Sequence, residues 1–350
     1  MQWALRELRS QLRYQIIGPF LLLTIIVAVA GSLAVFSQVT GSLQDRFDNQ
    51  LASVTRTAND ELVNQEQTNL QFLREVAFAQ RNDSTGAPGV ADALASHNIE
   101  GLKQALDPFF RVAANRNNIG LDRLIAFDTS GKTVSDFEVI GSDASADYTV
   151  HASFDISETW FTKRVLSGIA DTRGDKYAEI IQFGDTLYFA TIAPVRNEKK
   201  QVVGGLIAAT RISDLLVLLR DRAQAAGMTL YSGSGELISS TFGNSEGIVE
   251  AMDQALLDAF QSNSDPSTRS IFSTETISSR SYQFAYTPLI IRGGSLGILA
   301  PALSRDYVMA TGNNTLLPLI FLVAILTLII FIAGVFIANR ITAPLGELAL

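Results

Sequence analysis

The chain has 350 residues, with 27 Lys and Arg against 35 Asp and Glu, two histidines and no cysteine. The net charge of −8 argues against nucleic-acid binding. The missing cysteine excludes thiol catalysis and Cys-ligated zinc or iron–sulfur centres, and a chain of this length can bury an adequate core without disulfides.

Residues 1–15 form a basic tip, in which Arg6, Arg9 and Arg13 outweigh Glu7. From Tyr14 to Gln44 there is no charged residue, and Ile16–Phe36 is apolar. A helix rising ~1.5 Å per residue needs about 20 apolar residues to cross ~30 Å of hydrocarbon, so a transmembrane helix is predicted at 16–37. Basic flanks stay on the cytoplasmic side. This puts both termini in the cytoplasm and the middle outside, in a two-span inner-membrane protein with lipid as a partner. A cleaved signal peptide is the alternative, since Ala28-Val29-Ala30 precedes Gly31. The apolar residues that continue to Phe36 argue against it.

Leu43, Phe47, Leu51, Val54, Ala58 and Leu62 recur at helical spacing, and Leu70, Leu73, Val76 and Ala77 extend the pattern. A stalk helix is predicted over 38–80. It packs on its own domain at one height and on a second subunit at another, which makes a homodimer the expected assembly. The turn-forming run Arg81–Val90 ends it. A helix around Gly101–Arg116 follows, then alternation through Leu124–Asp128, a Thr129-Ser130-Gly131 turn and Thr133–Ser135, a β-hairpin signature.

That hairpin recurs. Phe127–Ser135 is echoed by Tyr231–Ser239, and Tyr188–Pro194 by Tyr282–Pro288. Gly204-Gly205 and Gly293-Gly294 read as turns before the strands that follow. Two tandem sheet modules are predicted, a membrane-distal one over 81–211 and a membrane-proximal one over 228–313. A helix at 212–227 joins them. A second uncharged stretch, Tyr307–Asn339, holds the apolar run Leu316–Ala338, and a transmembrane helix is predicted at 315–338. The expected fold is α+β: two transmembrane helices flanking a long stalk helix and two tandem PAS-like antiparallel-sheet modules.

The long helix, the paired hairpins and the flanking apolar runs resemble the double Cache sensors of bacterial transmembrane receptors, over roughly Gln38 to Asn313. The tail Asn339-Arg-Ile-Thr-Ala-Pro-Leu-Gly-Glu-Leu348 resembles the opening of a HAMP linker, placed here at 339–350. In that family a Pro-Leu pair, here Pro344 and Leu345, starts a coiled coil that relays the signal. The resemblance implies a sensory portion that binds a small extracytoplasmic ligand in the distal module. It also implies an output domain of histidine-kinase, nucleotide-cyclase, phosphatase or chemotaxis type. None lies before Leu350, so no enzymatic activity is expected of the chain as it stands.

The resemblance also points to site residues. Amino-acid-sensing members carry a tyrosine, an arginine two residues before a tryptophan, an aromatic after it, a later tyrosine and a terminal aspartate. Here Trp160, Phe161 and Tyr177 match. The arginine position holds Glu158, the first tyrosine position falls at Ser153, and the aspartate position falls near Thr210. The charged clamp for an α-amino acid is missing. Glu158 would repel a carboxylate but not a cationic or neutral ligand. Arg164, Asp185 and Tyr188 are rim candidates. In the second module, Tyr282, Phe284 and Tyr286 alternate on one strand face and read as core.

Catalytic chemistry finds little support. His97 and His151 sit in no zinc or nucleophile motif, and no phosphate-binding loop occurs. Asp143, Asp147 and Asp155 read as solvated loop carboxylates rather than a calcium site. No cofactor or metal is expected. The competing reading is a membrane-anchored extracytoplasmic enzyme or adhesion module, which needs a catalytic constellation or a broad sticky surface.

Overall fold

The computed structural model describes residues 2–82, 84, 86–115, 120–141, 147–170, 174–243, 249–262 and 270–306, with 321–322, 324–330, 332–333 and 336. The chain divides into two units, Met1–Gln50 with Ser304–Leu350, and Leu51–Leu303. Helix α1 covers Gln2–Ala77. Within the second unit it buries Leu51, Val54, Ala58, Leu62, Leu73 and Val76, the face that the spacing of apolar residues marks out. Its polar residues are not all on the solvent side. Gln65, Glu66 and Asn69 are buried. Gln65 Nε2 donates to Asn69 Oδ1 (3.1 Å), Asn69 Nδ2 donates to Thr191 Oγ1 (3.4 Å), and Arg292 Nη1 donates to Glu66 Oε1 (3.1 Å).

Two short helices follow, α2 (Val90–Ala95) and α3 (Ile99–Ala114). Asn98 caps α3 by accepting the Gly101 N–H at 2.9 Å. The first sheet comprises β1 (Arg123–Asp128), β2 (Thr133–Val139), β3 (Tyr148–Val150), β4 (Tyr177–Phe183), β5 (Thr186–Arg196) and β6 (Val202–Arg211). Its order is β3-β2-β1-β6-β5-β4, and α4 (Trp160–Leu166) lies between β3 and β4 in sequence. Helix α5 (Ile212–Ala223) leads to the second sheet. That sheet holds β7 (Gly227–Tyr231), β8 (Leu237–Ser240), β9 (Ile271–Ile277), β10 (Arg280–Ile291) and β11 (Gly294–Ser304) in the order β8-β7-β11-β10-β9, with α6 at Gln254–Ser262.

The two sheets share one topology, and the first adds β3 at its edge. The agreement extends to irregularities. The β1–β2 register shifts between Ala126 and Phe127, and the β7–β8 register shifts at the equivalent step, Leu230 to Tyr231. Gly131 and Gly235 close the two hairpin turns. Each offers its carbonyl to a later loop, to the Ile156 N–H and to the Met252 N–H, both at 2.9 Å.

One glycine assignment changes. Gly204 and Gly205 lie inside β6 rather than in a turn before it. A Cβ on Gly204 would stand 2.3 Å from the Phe127 carbonyl oxygen, and one on Gly297 in β11 would stand 2.3 Å from that of Tyr231. Close approach between neighbouring strands therefore selects glycine at the same place in both sheets.

The membrane expectations are not met. Among the described residues, no helix is long and apolar enough to cross a membrane. The two transmembrane helices at 16–37 and 315–338 are therefore corrected. So is the two-span inner-membrane localisation with cytoplasmic termini, and the ground for a lipid partner goes with it. The physical reason is continuity: a span needs about 20 consecutive apolar residues. In the first stretch Leu22, Leu23, Ile26 and Val27 are exposed on α1, and most of the other side chains of 16–37 lie outside the described residues. Much of 315–338, and all of 339–350 with Pro344 and Leu345, lies outside the described residues.

The first sheet is covered on both sides. On one, Phe72, Leu73 and Val76 of α1, with Leu94, Leu102, Leu106 and Phe110 of α2 and α3, pack on Leu124, Ala126, Phe137 and Leu206. On the other, Phe161 and Val165 of α4 pack on Ile125, Phe127, Ile181, Tyr188 and Ile207.

Candidate functional site

Side chains alternate across a strand, and directly paired residues share a face. The pairs Arg123↔Glu138, Ile125↔Asp136, Arg123↔Ala209, Tyr188↔Arg211 and Ile181↔Tyr188 therefore gather on the α4 side of the first sheet. Tyr177, Glu179 and Phe183 join them by parity along β4. This face carries both apolar core and a concentration of charge.

The charge forms a closed network. Arg123 grips Asp136 with two bonds, Nε to Oδ1 at 2.8 Å and Nη2 to Oδ2 at 2.7 Å, and both side chains are buried. Such bidentate pairs are strong and directional. The Arg123 guanidinium also lies 4.7 Å from the Phe183 ring centre and 5.6 Å from that of Tyr188. Glu138 is the hub. Its Oε1 accepts from Tyr188 Oη at 2.7 Å and from Arg211 Nη2 at 3.1 Å, and its Oε2 lies 2.6 Å from His151 Nε2. Arg211 further bonds the Val139 carbonyl (2.6 Å) and Asp122, whose Oδ2 also accepts the Arg211 N–H at 2.8 Å.

Burial alone would raise the Glu138 carboxyl pKa. The bonds from Tyr188 and Arg211, the charge of Arg123 and the bond to His151 outweigh it and hold the group below its ordinary value. Burial likewise pulls both guanidinium groups down. The bond to and charge of Asp136 outweigh it for Arg123, and the charge of Asp122 and the bond to Glu138 do so for Arg211. Burial and Glu138 together raise the Tyr188 phenol, which keeps it a donor.

At the β4 edge the face changes character. The Ile156 N–H bond to Gly131 docks the loop before α4 onto the β1–β2 turn, and Thr159 Oγ1 donates back to the Ile156 carbonyl at 2.7 Å. Helix α4 therefore begins over β4, at Trp160. The Trp160 ring meets Tyr177 edge-on at 5.7 Å and Phe161 at 6.2 Å, and its Nε1 donates to Glu179 Oε2 at 3.0 Å. The Ile180 N–H donates to the other Glu179 oxygen at 3.1 Å, and Tyr177 Oη donates to the Ile169 carbonyl at 3.2 Å. Phe161 and Tyr177 are buried, whereas Trp160 remains 51% exposed.

The residues singled out in the sequence separate into three groups. Trp160, Phe161, Tyr177 and Tyr188 share the α4-side face. Glu158, Arg164 and Asp185 are on the surface, and the Glu158 side chain is 90% exposed and paired with Lys163 at 2.7 Å. Thr210 is buried on the opposite face, one step from Arg211, and its hydroxyl has no hydrogen-bond partner among the described residues. No sequence motif marks Arg123, Asp136, Glu138, Arg211, Glu179 or His151, which the fold brings to this face. A signal was present: Asp136 and Glu138 alternate within a strand that is otherwise largely apolar, which marks one face of that strand as charged. Among the described residues, no group of three or more histidine or carboxylate side chains converges as a metal site would.

No family model matches the chain, and no curated protein matches it. Among solved structures it is similar to an extracellular domain assigned to the histidine kinase vpHK1S-Z8, at 15% identity and a TM-score of 0.53, over 80% of this chain and 99% of that one. It is also similar to a domain from Vibrio parahaemolyticus assigned to the sensory box/GGDEF family, at 16% identity and a TM-score of 0.49, over 76% and 97%. A third likeness is to the ligand-binding domain of the Campylobacter jejuni chemoreceptor Tlp3, in complex with 4-methylisoleucine. Here the identity is 13% and the TM-score 0.48, over 77% and 94%. The first of these shows the fold: the chain is built as that extracellular domain is built.

Proposed function

We propose that the chain is the ligand-sensing part of a receptor, and that the α4-side face of the first sheet binds a small molecule other than a standard α-amino acid. The observation that carries this reading is Trp160, half exposed over Tyr177 and Glu179 on a face that is otherwise closed. Ligand pockets combine aromatic walls with a few placed polar groups, and this corner has both. An α-amino acid needs a cation for its carboxylate, but Arg123 and Arg211 are already engaged by Asp136, Glu138 and Asp122.

Binding would favour one of two arrangements of the first module. Two contacts give such a shift a route. Helix α1 bonds the first sheet through Asn69 and Thr191, and the β10–β11 turn of the second sheet through Glu66 and Arg292. The signal then passes along the chain beyond β11, through the HAMP-like segment with Pro344 and Leu345, to an output domain in a homodimer. The test is a thermal-shift screen of small molecules against the full chain. An active ligand raises the melting temperature of the wild type by linkage and not that of a folded Trp160→Ala variant. Equal stabilisation of both proteins would place the site elsewhere.

A further inference from the structure

We propose that Glu179, Trp160 and Tyr177 form a subsite for an organic cation, so that the ligand carries an alkylated ammonium group. This rests on the binding-face reading above and names the ligand class for it. Several neighbouring carboxylates have cationic partners: Glu158 has Lys163, Asp175 has Lys176 and Arg196, Asp136 has Arg123, and Glu138 has Arg211. Glu179 is held instead by two neutral donors, the indole N–H of Trp160 on one oxygen and the Ile180 N–H on the other. A carboxylate oxygen accepts two bonds, so each retains a free acceptor site. The anion is thus aimed and half buried, and no cation among the described residues neutralises it.

The aromatic groups beside it narrow the partner. Trp160 leaves half its surface in water while its ring meets those of Tyr177 and Phe161 nearly at right angles. An indole face next to a carboxylate attracts a cation through both the ring quadrupole and the charge, and apolar walls favour one that carries alkyl groups. A hard divalent metal ion is a poor fit, because it asks for six or more oxygen ligands where this corner offers one carboxylate. Of the basic side chains on α4, Lys163 is committed to Glu158, whereas Arg164 is exposed. An anion recruited by Arg164 is therefore the outcome that the test must separate.

Choline and its uncharged carbon isostere 3,3-dimethylbutan-1-ol serve as probes, with acetate as the anion. The full chain has two tryptophans, so the difference in emission between wild type and Trp160→Phe reports on Trp160 alone. Choline should change that emission saturably, and the isostere should bind about tenfold more weakly, since the ring quadrupole and the carboxylate both favour the charged probe. Glu179→Gln should cost choline about tenfold and leave the isostere unchanged. A Trp160→Leu variant read by melting temperature should lose the choline-dependent shift, which keeps a second handle if Glu179→Gln folds poorly. No saturable response to choline, equal binding of the two isosteres, or saturation by acetate alone would overturn the proposal. Trp160-dependent binding of the isostere without preference for choline would overturn the cation class and leave the sensing face standing. A screened ligand that stabilises Trp160→Ala as well as wild type would remove the sensing face itself.

Discussion

The two sheets place different chemistry on equivalent backbone. In the first, Arg123 on β1 faces Glu138 on β2. In the second, Gly227 on β7 lies against Phe242, just past the end of β8, and a Cβ on Gly227 would stand 2.1 Å from the Phe242 ring. The ion network of one module is thus replaced in the other by a ring lying over a glycine. The rest of that second face is aromatic: Phe242 meets Tyr282 at 5.1 Å, and Tyr286 meets Phe284 at 6.0 Å and Tyr231 at 5.9 Å. A carboxylate does reach it: Glu275 accepts from Tyr286, a phenol whose pKa burial pushes up, as it does for Tyr231. One topology therefore supports a packed core in one copy and a charged face with an open aromatic edge in the other.

Substitutions can break this contrast. Arg123→Ala strands a buried Asp136 carboxylate and takes a cation from Glu138. It should cost about 3–5 kcal/mol in denaturant unfolding, the usual penalty for a buried charge left alone. A loss below about 1 kcal/mol would mean that water already screens the network. On the other side, Gly227→Ala must displace the Phe242 ring and should cost about 1–3 kcal/mol by overpacking. An unchanged midpoint would show that the ring moves freely and that the second core is looser than its contacts imply.

The acid limb sharpens the comparison further. The Glu138 carboxyl is depressed in the folded chain, so its contribution to stability is fully present above its ordinary value of 4.5 and is lost as pH falls through the lower folded value. Asp155 and Asp175 shift the same way. Glu138→Gln should therefore make the stability profile shallower below pH 4.5 without flattening it, whereas Phe242→Leu should leave its slope unchanged. A Glu138→Gln profile parallel to wild type would remove the hub role. The smallest effect belongs to Glu158→Ala, which breaks only a solvent-exposed pair and should change stability by about 0.5 kcal/mol or less. A larger change would mean that Glu158 has a partner in solution beyond Lys163.

Part of this is legible in the amino-acid sequence. The apolar face of α1 follows from residue spacing, because 3.6-residue periodicity is a local property and Leu51, Val54, Ala58 and Leu62 carry it openly. The repeated hairpins are visible because turn residues sit at fixed offsets from aromatic strand ends. The site was legible in part. Trp160, Phe161, Tyr177 and Tyr188 do share a face, but Thr210 misses it by one residue, since a single step along a strand turns a side chain to the other side. Glu158 lies two residues before Trp160 and still points into solvent, because α4 starts only at Trp160.

By itself, then, the chain determined periodicity: a long helix, two strand repeats and two uncharged runs. Uncharged runs proved the weakest guide, since no helix among the described residues is long and apolar enough to cross a membrane. The tertiary structure alone decided where charge goes. Arg123, Asp136, Glu138 and Arg211 come from three strands, and strand register brings them together in a buried space where each charge requires a partner. The same register left Glu179 beside Trp160 with neutral donors only, because strand pairing placed no cation opposite it.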